Sequence, residues 1–162
     1  NIVVMIQGDE PMIVPEMIEA AIQPLVDDST IDAVNLMADI NSKKEWKDPN
    51  EVKVVVDNNN NALYFSREPI PSNKKYDGEI SAYKQVCIIP FTREGLKKYL
   101  SLSETILEKI ESVDMNRILE HGGIVKMVYT KHNTYAVDTL ADLIKVEKLM
   151  LTKKYFIDLF SI

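Results

Sequence analysis

The apolar positions of this chain fall into short strand-like runs separated by stretches of helical period. Ile2-Val3-Val4-Met5-Ile6 is apolar at every position and rich in β-branched residues, the pattern of a strand buried on both faces. Such a strand needs neighbours on both edges. The run therefore predicts sheet structure ahead of Asn1, and the chain reads as a domain whose N-terminal part is missing. Gly8-Asp9-Glu10-Pro11 ends the run, and Val14-Pro15-Glu16 opens a helix with proline near its first turn. That helix is expected to reach about Leu25, with Met17, Ile18, Ala21 and Ile22 on one face. Residues 32–37 read as a second strand. Asp48-Pro49-Asn50 is turn chemistry, and 52–56, the asparagine run 58–61 and 62–65 read as strand, turn, strand.

Residues 69–83 show no apolar period and predict a long exposed loop. Residues 86–91 read as a strand that ends, or lies at a sheet edge, at Pro90. A short helix is expected over 92–99. A longer one follows over 103–120, with Ser103 as N-cap and Gly122-Gly123 as its stop. Residues 124–129 predict a strand, 131–133 a turn and 135–137 a short strand. Asp138 or Thr139 then caps a last helix through about Leu151. This order predicts an α/β fold with some antiparallel strands.

Composition narrows the chemistry. With 162 residues the chain fits one domain, and a net charge of −6 opposes broad binding to nucleic-acid phosphates. A single Cys87 excludes a disulfide framework, and with only His121 and His132 a zinc site built on several histidines is excluded as well. No apolar run approaches the roughly 18 residues of a membrane span, and no signal-peptide pattern opens the chain, so a cytoplasmic domain is expected.

Asp9 and Asp138 each follow a strand directly. In open α/β sheets ligands bind beyond the carboxyl ends of strands, and two converging carboxylates suit Mg²⁺, which fills its octahedron with water and substrate phosphates. A turn at Asp9 and a helix cap at Asp138 are the plain alternatives. Gly8 would let the backbone turn sharply beside a ligand. Arg67, at the end of 62–65, could grip a carboxylate or phosphate through two parallel hydrogen bonds, or form a surface ion pair. Glu108, Glu111 and Asp114 share one face of the expected long helix, either facing sugar hydroxyls or solvent. Cys87 reads as inert core and His121 as part of a helix stop. Neither a P-loop nor a dinucleotide fingerprint occurs, so a nucleotide enzyme would bring its phosphate loop from outside this segment.

Several stretches together carry a resemblance. Ile6-Gln7-Gly8-Asp9-Glu10-Pro11, Asp48-Pro49-Asn50 through Val55, Ala62-Leu63-Tyr64-Phe65-Ser66-Arg67 with Ile70-Pro71, and Val137-Asp138-Thr139 with Asp142-Leu143 occur in this order. The chain resembles the 3-deoxy-manno-octulosonate (Kdo) cytidylyltransferases, within the sugar-acid cytidylyltransferases, from residue 1 to about Met150, which implies one domain over 1–150 and leaves 151–162 as a helical extension. The resemblance implies a Rossmann-like mixed sheet flanked by helices, of the nucleotide-diphospho-sugar transferase type. It implies transfer of CMP from CTP to a 2-keto sugar acid with release of pyrophosphate, in lipopolysaccharide precursor synthesis. Asp9 and Asp138 would then hold Mg²⁺, Arg67 would contact the sugar carboxylate, and Gln7 and Gly8 would lie beside nucleotide and sugar. The family's histidine and Glu-Gln pair on the sugar side appear here as Gln85 and Asp114-Met115. These three positions are expected to set which acid is accepted, and a sugar acid other than Kdo is expected to lead. A homodimer is expected through an apolar arm built from 62–65, the long loop and 86–91. Two rival readings stay open: a non-catalytic remnant that keeps only the fold and dimer contact, and a nucleotidyltransferase of other base specificity.

Overall fold

The computed structural model describes residues 1–28, 30–78, 81–132 and 134–152. Seven strands of one mixed sheet lie among them: β1 (Ile2–Ile6), β2 (Ala33–Asp39), β3 (Lys53–Val56), β4 (Ala62–Ser66), β5 (Tyr83–Val86), β6 (Ile88–Thr92) and β7 (Val125–Tyr129). The helices are α1 (Pro15–Asp27), α2 (Lys43–Lys47), α3 (Arg93–Ser101), α4 (Ile106–Glu111), α5 (Met115–Glu120) and α6 (Leu140–Met150). None of them is long and apolar enough to cross a membrane.

One junction sets up the rest. β5 and β6 follow each other with only Cys87 between them, and both pair antiparallel with β2 on one edge. On the other edge they part company: β6 pairs with β1, Ile6 opposite Ile88, whereas β5 pairs with β3, Lys53 opposite Lys84. The sheet therefore forks at Cys87, and the end of β1 and the start of β3 flank the gap. β4 continues the β3 side as a hairpin, and β7 runs parallel to β2 on its far edge. In the hairpin turn Asn60 takes a left-handed φ of 57°, while Asp57 Oδ1 accepts from the amides of Asn59 and Asn61, each at 2.8 Å.

Alternation along the strands sends side chains to two helical layers. Leu36, Ala38, Val86 and Ile88 pack against Met17 and Ala21 of α1. Ala33, Met37, Ile89 and Phe91 pack on the other face with Val113, Met115 and Ile118. Residues as fully buried as Met17 and Met115 each contribute about 1.5–3 kcal/mol of hydrophobic stabilisation.

Several expectations need correction. The helix over 103–120 is two helices, α4 and α5, separated where Ser112 turns left-handed at φ 53°. Thr105, not Ser103, precedes its first turn, and its amide donates to Glu108 Oε2 at 3.2 Å. Residues 135–137 form no strand; Val137 N instead donates to the Asp9 carbonyl at 2.9 Å. Pro90 lies inside β6, away from any sheet edge. β6 pairs with β1 along its length but with β2 only at Ala33 opposite Phe91, so the missing donor falls beside a sparse ladder. Within the described residues β1 is hydrogen-bonded to β6 alone, and Val3 and Ile6 are 44% exposed; the second neighbour expected ahead of Asn1 lies outside the described residues, so that expectation is unaffected. The short helix α2 was not foreseen; Ser42 Oγ caps it by accepting from Glu45 N at 3.1 Å. Asn133 of the expected turn, and residues 153–162 of the expected extension, lie outside the described residues.

Candidate active site

The fork opens into a cleft. Met5 and Gln7 line it from the end of β1, Glu51 and Val52 from the approach to β3, and Gln85, Cys87 and Ile89 from its floor. Asp9, Arg67, Asp114 and Asp138 complete the wall. These residues are far apart in the chain, and the split sheet is what brings them together.

Asp9 sits in the turn that follows β1. Its Oδ1 is buried and has no hydrogen-bond partner, which is costly for a carboxylate unless a cation or donor arrives. The bond from Val137 N to the Asp9 carbonyl ties the segment carrying Asp138 to this turn. Thr139, not Asp138, caps α6: its Oγ1 accepts from Asp142 N at 3.2 Å. The Asp138 carboxylate is thus free of the helix-capping role. Partial burial, and then the neighbouring Asp9 carboxylate, raise its pKa above the ordinary value. An orphaned acidic oxygen beside a second carboxylate is a fitting seat for a divalent cation. Among the described residues no group of three His, Cys, Asp or Glu side chains could hold a metal, so such a cation would keep positions for water and substrate oxygens.

Arg67 reaches the cleft from the end of β4, and the helix break explains how it is held. Its Nε donates to the Glu111 carbonyl (2.6 Å), Nη2 to the Ser112 carbonyl (3.2 Å) and Nη1 to the Pro49 carbonyl (2.8 Å). The left-handed residue between α4 and α5 frees carbonyls that the guanidinium then satisfies. Three of the five guanidinium hydrogens are engaged, and the remainder can serve an anion. Neither a surface ion pair nor an entirely free anion fork describes this arginine. The Glu111 carboxylate completes the clamp, accepting from Tyr64 Oη (2.8 Å), Ser66 Oγ (2.9 Å) and Arg67 N (2.8 Å).

The acidic face expected of one long helix does not exist. Glu108 pairs with Arg117, at 2.5 Å from Nη2, Glu111 holds β4, and of the three only Asp114 lines the cleft. Asp114 precedes α5 without a side-chain capping bond, so its carboxylate is available there. Met115 is fully buried in the core on the α4–α5 side and is absent from the cleft lining, which removes it as a reader of the ligand. Gly8 does not line the cleft; its φ is not left-handed, and a Cβ added there would meet nothing within 4 Å. The sharp-turn role expected of it is not needed. Cys87 belongs to the cleft floor as well as to the sheet. Burial, then the Glu10 and Asp9 carboxylates, push its thiol up to about 12, so it is no nucleophile.

Lys84 and Glu10 are among the cleft residues that escaped the sequence reading. Lys84 is buried, ion-paired with Glu45 (2.8 Å) and Glu51 (3.1 Å), and donates to the Thr134 carbonyl at 3.3 Å. Burial pushes its pKa down, but the Glu51 and Glu45 carboxylates outweigh this and hold it above the ordinary lysine value. The signal available was a lysine inside a strand run between Tyr83 and Val86. Glu10 is also buried, with Oε2 lacking a partner, and burial raises its pKa. In the sequence it served only as part of a motif.

Comparison with known proteins shows the family and the fold. Residues 1–138 match the family model described as cytidylyltransferase. The chain is 38% identical over 158 residues to the 3-deoxy-manno-octulosonate cytidylyltransferase of Pelobacter propionicus, covering 91% of this chain and 62% of that protein. It is 40% identical over 160 residues to the protein of the same name from Geobacter metallireducens, covering 92% and 63%. A solved structure of CMP:2-keto-3-deoxy-manno-octonic acid synthetase complexed with CTP superposes with a TM-score of 0.83 at 37% identity, covering 92% of this chain and 61% of that one. The chain thus spans about three fifths of the length of these relatives, and its mixed sheet with helices on both faces is the nucleotide-diphospho-sugar transferase fold. On the match of residues 1–138, the chain belongs to the cytidylyltransferase family.

Proposed function

We propose that the protein carrying this chain transfers CMP from CTP to a 2-keto-3-deoxy sugar acid, Kdo or a close relative, and releases pyrophosphate. The observation that carries the reading is the convergence of Asp9, Asp138, Arg67, Gln85 and Asp114 on one cleft at the sheet fork. In this reaction a sugar hydroxyl oxygen bonds to the α-phosphorus of CTP. The bond from that phosphorus to the pyrophosphate oxygen breaks, and the hydroxyl proton passes to solvent. Magnesium would be held by Asp9 and Asp138, where it neutralises phosphoryl charge and orients the attacking group. The free guanidinium hydrogens of Arg67 bind the acid's carboxylate, and its three carbonyl contacts keep the side chain from swinging away. Gln7 reaches the same cleft from the end of β1, and in this reading it would lie beside nucleotide and sugar.

The direct test is pyrophosphate release from CTP by the full-length protein with Mg²⁺ and a panel of 2-keto sugar acids. Release that depends on both the acid and the metal is expected; none across the panel would overturn the reading. We also propose a symmetric homodimer. The arm expected from the sequence is reduced, because Val86, Ile88, Ile89 and Phe91 are core residues; Leu63 on β4 and Tyr76 in the long loop, 61% and 63% exposed, remain to support it. A monomer by light scattering at tens of micromolar would dismiss it.

A further inference from the structure

Asn35 lies in the middle of β2, fully buried in an otherwise apolar run. Its Nδ2 donates to the Leu36 carbonyl at 2.9 Å and to the Val86 carbonyl at 2.8 Å. Carbonyl oxygens only accept, so the half of the amide facing these two has to be the NH₂ group. That orientation turns Asn35 Oδ1 toward Gln85, from whose Nε2 it accepts at 2.6 Å. Because Oδ1 also only accepts, the Gln85 amide has one orientation as well: nitrogen toward Asn35, Oε1 left over. Gln85 lines the cleft, and among the described residues Oε1 has no hydrogen bond. Two backbone carbonyls thus decide, through two side-chain amides, which end of Gln85 is offered to a ligand.

We infer that Asn35 is a positioning residue for specificity: it holds Gln85 as a hydrogen-bond acceptor, so this part of the cleft selects a ligand group that donates. The group is a hydroxyl or ammonium of the sugar acid, favoured over an analogue lacking it. This rests on the sugar-acid reading above and extends it to a residue buried behind the cleft. The physical basis is the asymmetry of polar recognition. A site group held for one donor is left unpaired when that donor is missing, whereas a freely rotating amide can present NH₂ or oxygen and discriminates less.

The experiment uses the full-length protein, wild type and Asn35→Ala, Gln85→Ala and the double variant. Each is assayed with the accepted sugar acid and with analogues in which one hydroxyl or amino group at a time is removed. Wild type is expected to reject one analogue at least tenfold in kcat/KM. Asn35→Ala should reduce that one ratio to threefold or less and leave the others unchanged. Gln85→Ala should erase the same ratio, with no additional effect of Asn35→Ala in the double variant. A uniform fall on all analogues, a preserved ratio in Asn35→Ala, or additive effects in the double variant would overturn the inference. Should Asn35→Ala not fold, Gln85→Ala at the cleft surface decides: an unchanged ratio overturns it, and loss of the single ratio supports it. A second readout needs no turnover. In ¹⁵N-labelled protein the Gln85 side-chain NH₂ should exchange slowly in wild type and rapidly in Asn35→Ala, and equal exchange refutes the orientation. Wild-type protein that transfers CMP to no sugar acid would remove the proposed function, while this NMR arm still decides for or against the orientation.

Discussion

Glu111→Ala tests the clamp that holds the arginine end of the cleft. One carboxylate accepts from Tyr64 Oη, Ser66 Oγ and Arg67 N, all between 2.8 and 2.9 Å. A hydrogen bond to a charged group contributes about 1.5–3 kcal/mol net. Counting three in full would overstate the loss, because the Tyr64 and Arg67 positions are half-exposed and can regain water; Ser66 is buried and its hydroxyl cannot easily do so. The expected destabilisation is therefore about 2–4 kcal/mol, and about half that for Glu111→Gln, which keeps an acceptor but loses the charge. Urea unfolding measures it as a lower midpoint at unchanged slope. The pH dependence has a definite sign. Burial pushes the Glu111 carboxyl up, but the bonds from Arg67 N, Tyr64 and Ser66 outweigh it and hold it below the ordinary 4.5. A carboxylate depressed by folding stabilises fully above its unfolded pKa, and the contribution fades as pH falls through the folded value. The gap between wild type and Glu111→Ala should thus be widest above about pH 5 and shrink toward pH 3. Tyr64, pushed up to about 12 by burial and by the bond to Glu111, should ionise at lower pH in the variant. Stabilities within 0.5 kcal/mol of wild type at pH 7, on the scale of an ordinary surface substitution, would refute the clamp.

Asp9→Asn or Asp138→Asn in the full-length protein should abolish Mg²⁺-dependent pyrophosphate release while leaving the melting temperature within a few degrees, since neither adds bulk; near-normal release in either would remove the metal assignment. Arg67→Ala should lower kcat/KM by a factor corresponding to about 1.5–3 kcal/mol, and lysine should restore only part of it for want of the planar fork, as read from steady-state kinetics on sugar acids with and without the carboxylate. Lys84→Met leaves Glu45 and Glu51 facing each other without their cation and should destabilise by about 3–5 kcal/mol in denaturant unfolding; a neutral result would show the pair to be solvated. Across an acceptor panel, a sugar acid other than Kdo should give the highest kcat/KM, now on the strength of Gln85 and Asp114 alone; a tenfold lead for Kdo would show these substitutions to be neutral.

By itself the sequence determined the parts whose pattern is local. The valine-rich run 52–56 and the apolar run 62–65 on either side of four asparagines defined the β3–β4 hairpin, and Pro15 with the spacing of Met17 and Ala21 defined α1. The position of Asp9 after β1 pointed to an end of the sheet, and the cleft contains both Asp9 and Asp138; no strand directly precedes Asp138, whose segment is tied there by the bond from Val137 N to the Asp9 carbonyl. Only the tertiary structure decided the rest, because the deciding partners are distant in the chain. The helical period of 103–120 runs on through Ser112, yet the helix breaks there, where the guanidinium of Arg67, more than forty residues earlier, takes up the freed carbonyls. The apolar run around Cys87 gives no hint that its two halves exchange neighbours, since a strand's own residues do not name its partner on either edge. Asn35 looks misplaced in an apolar run, and Lys84 ordinary beside Gln85, until Val86, Gln85, Glu45 and Glu51 are brought to them. Local period records which face of an element is apolar; which polar groups are satisfied, and by whom, is settled when the elements pack.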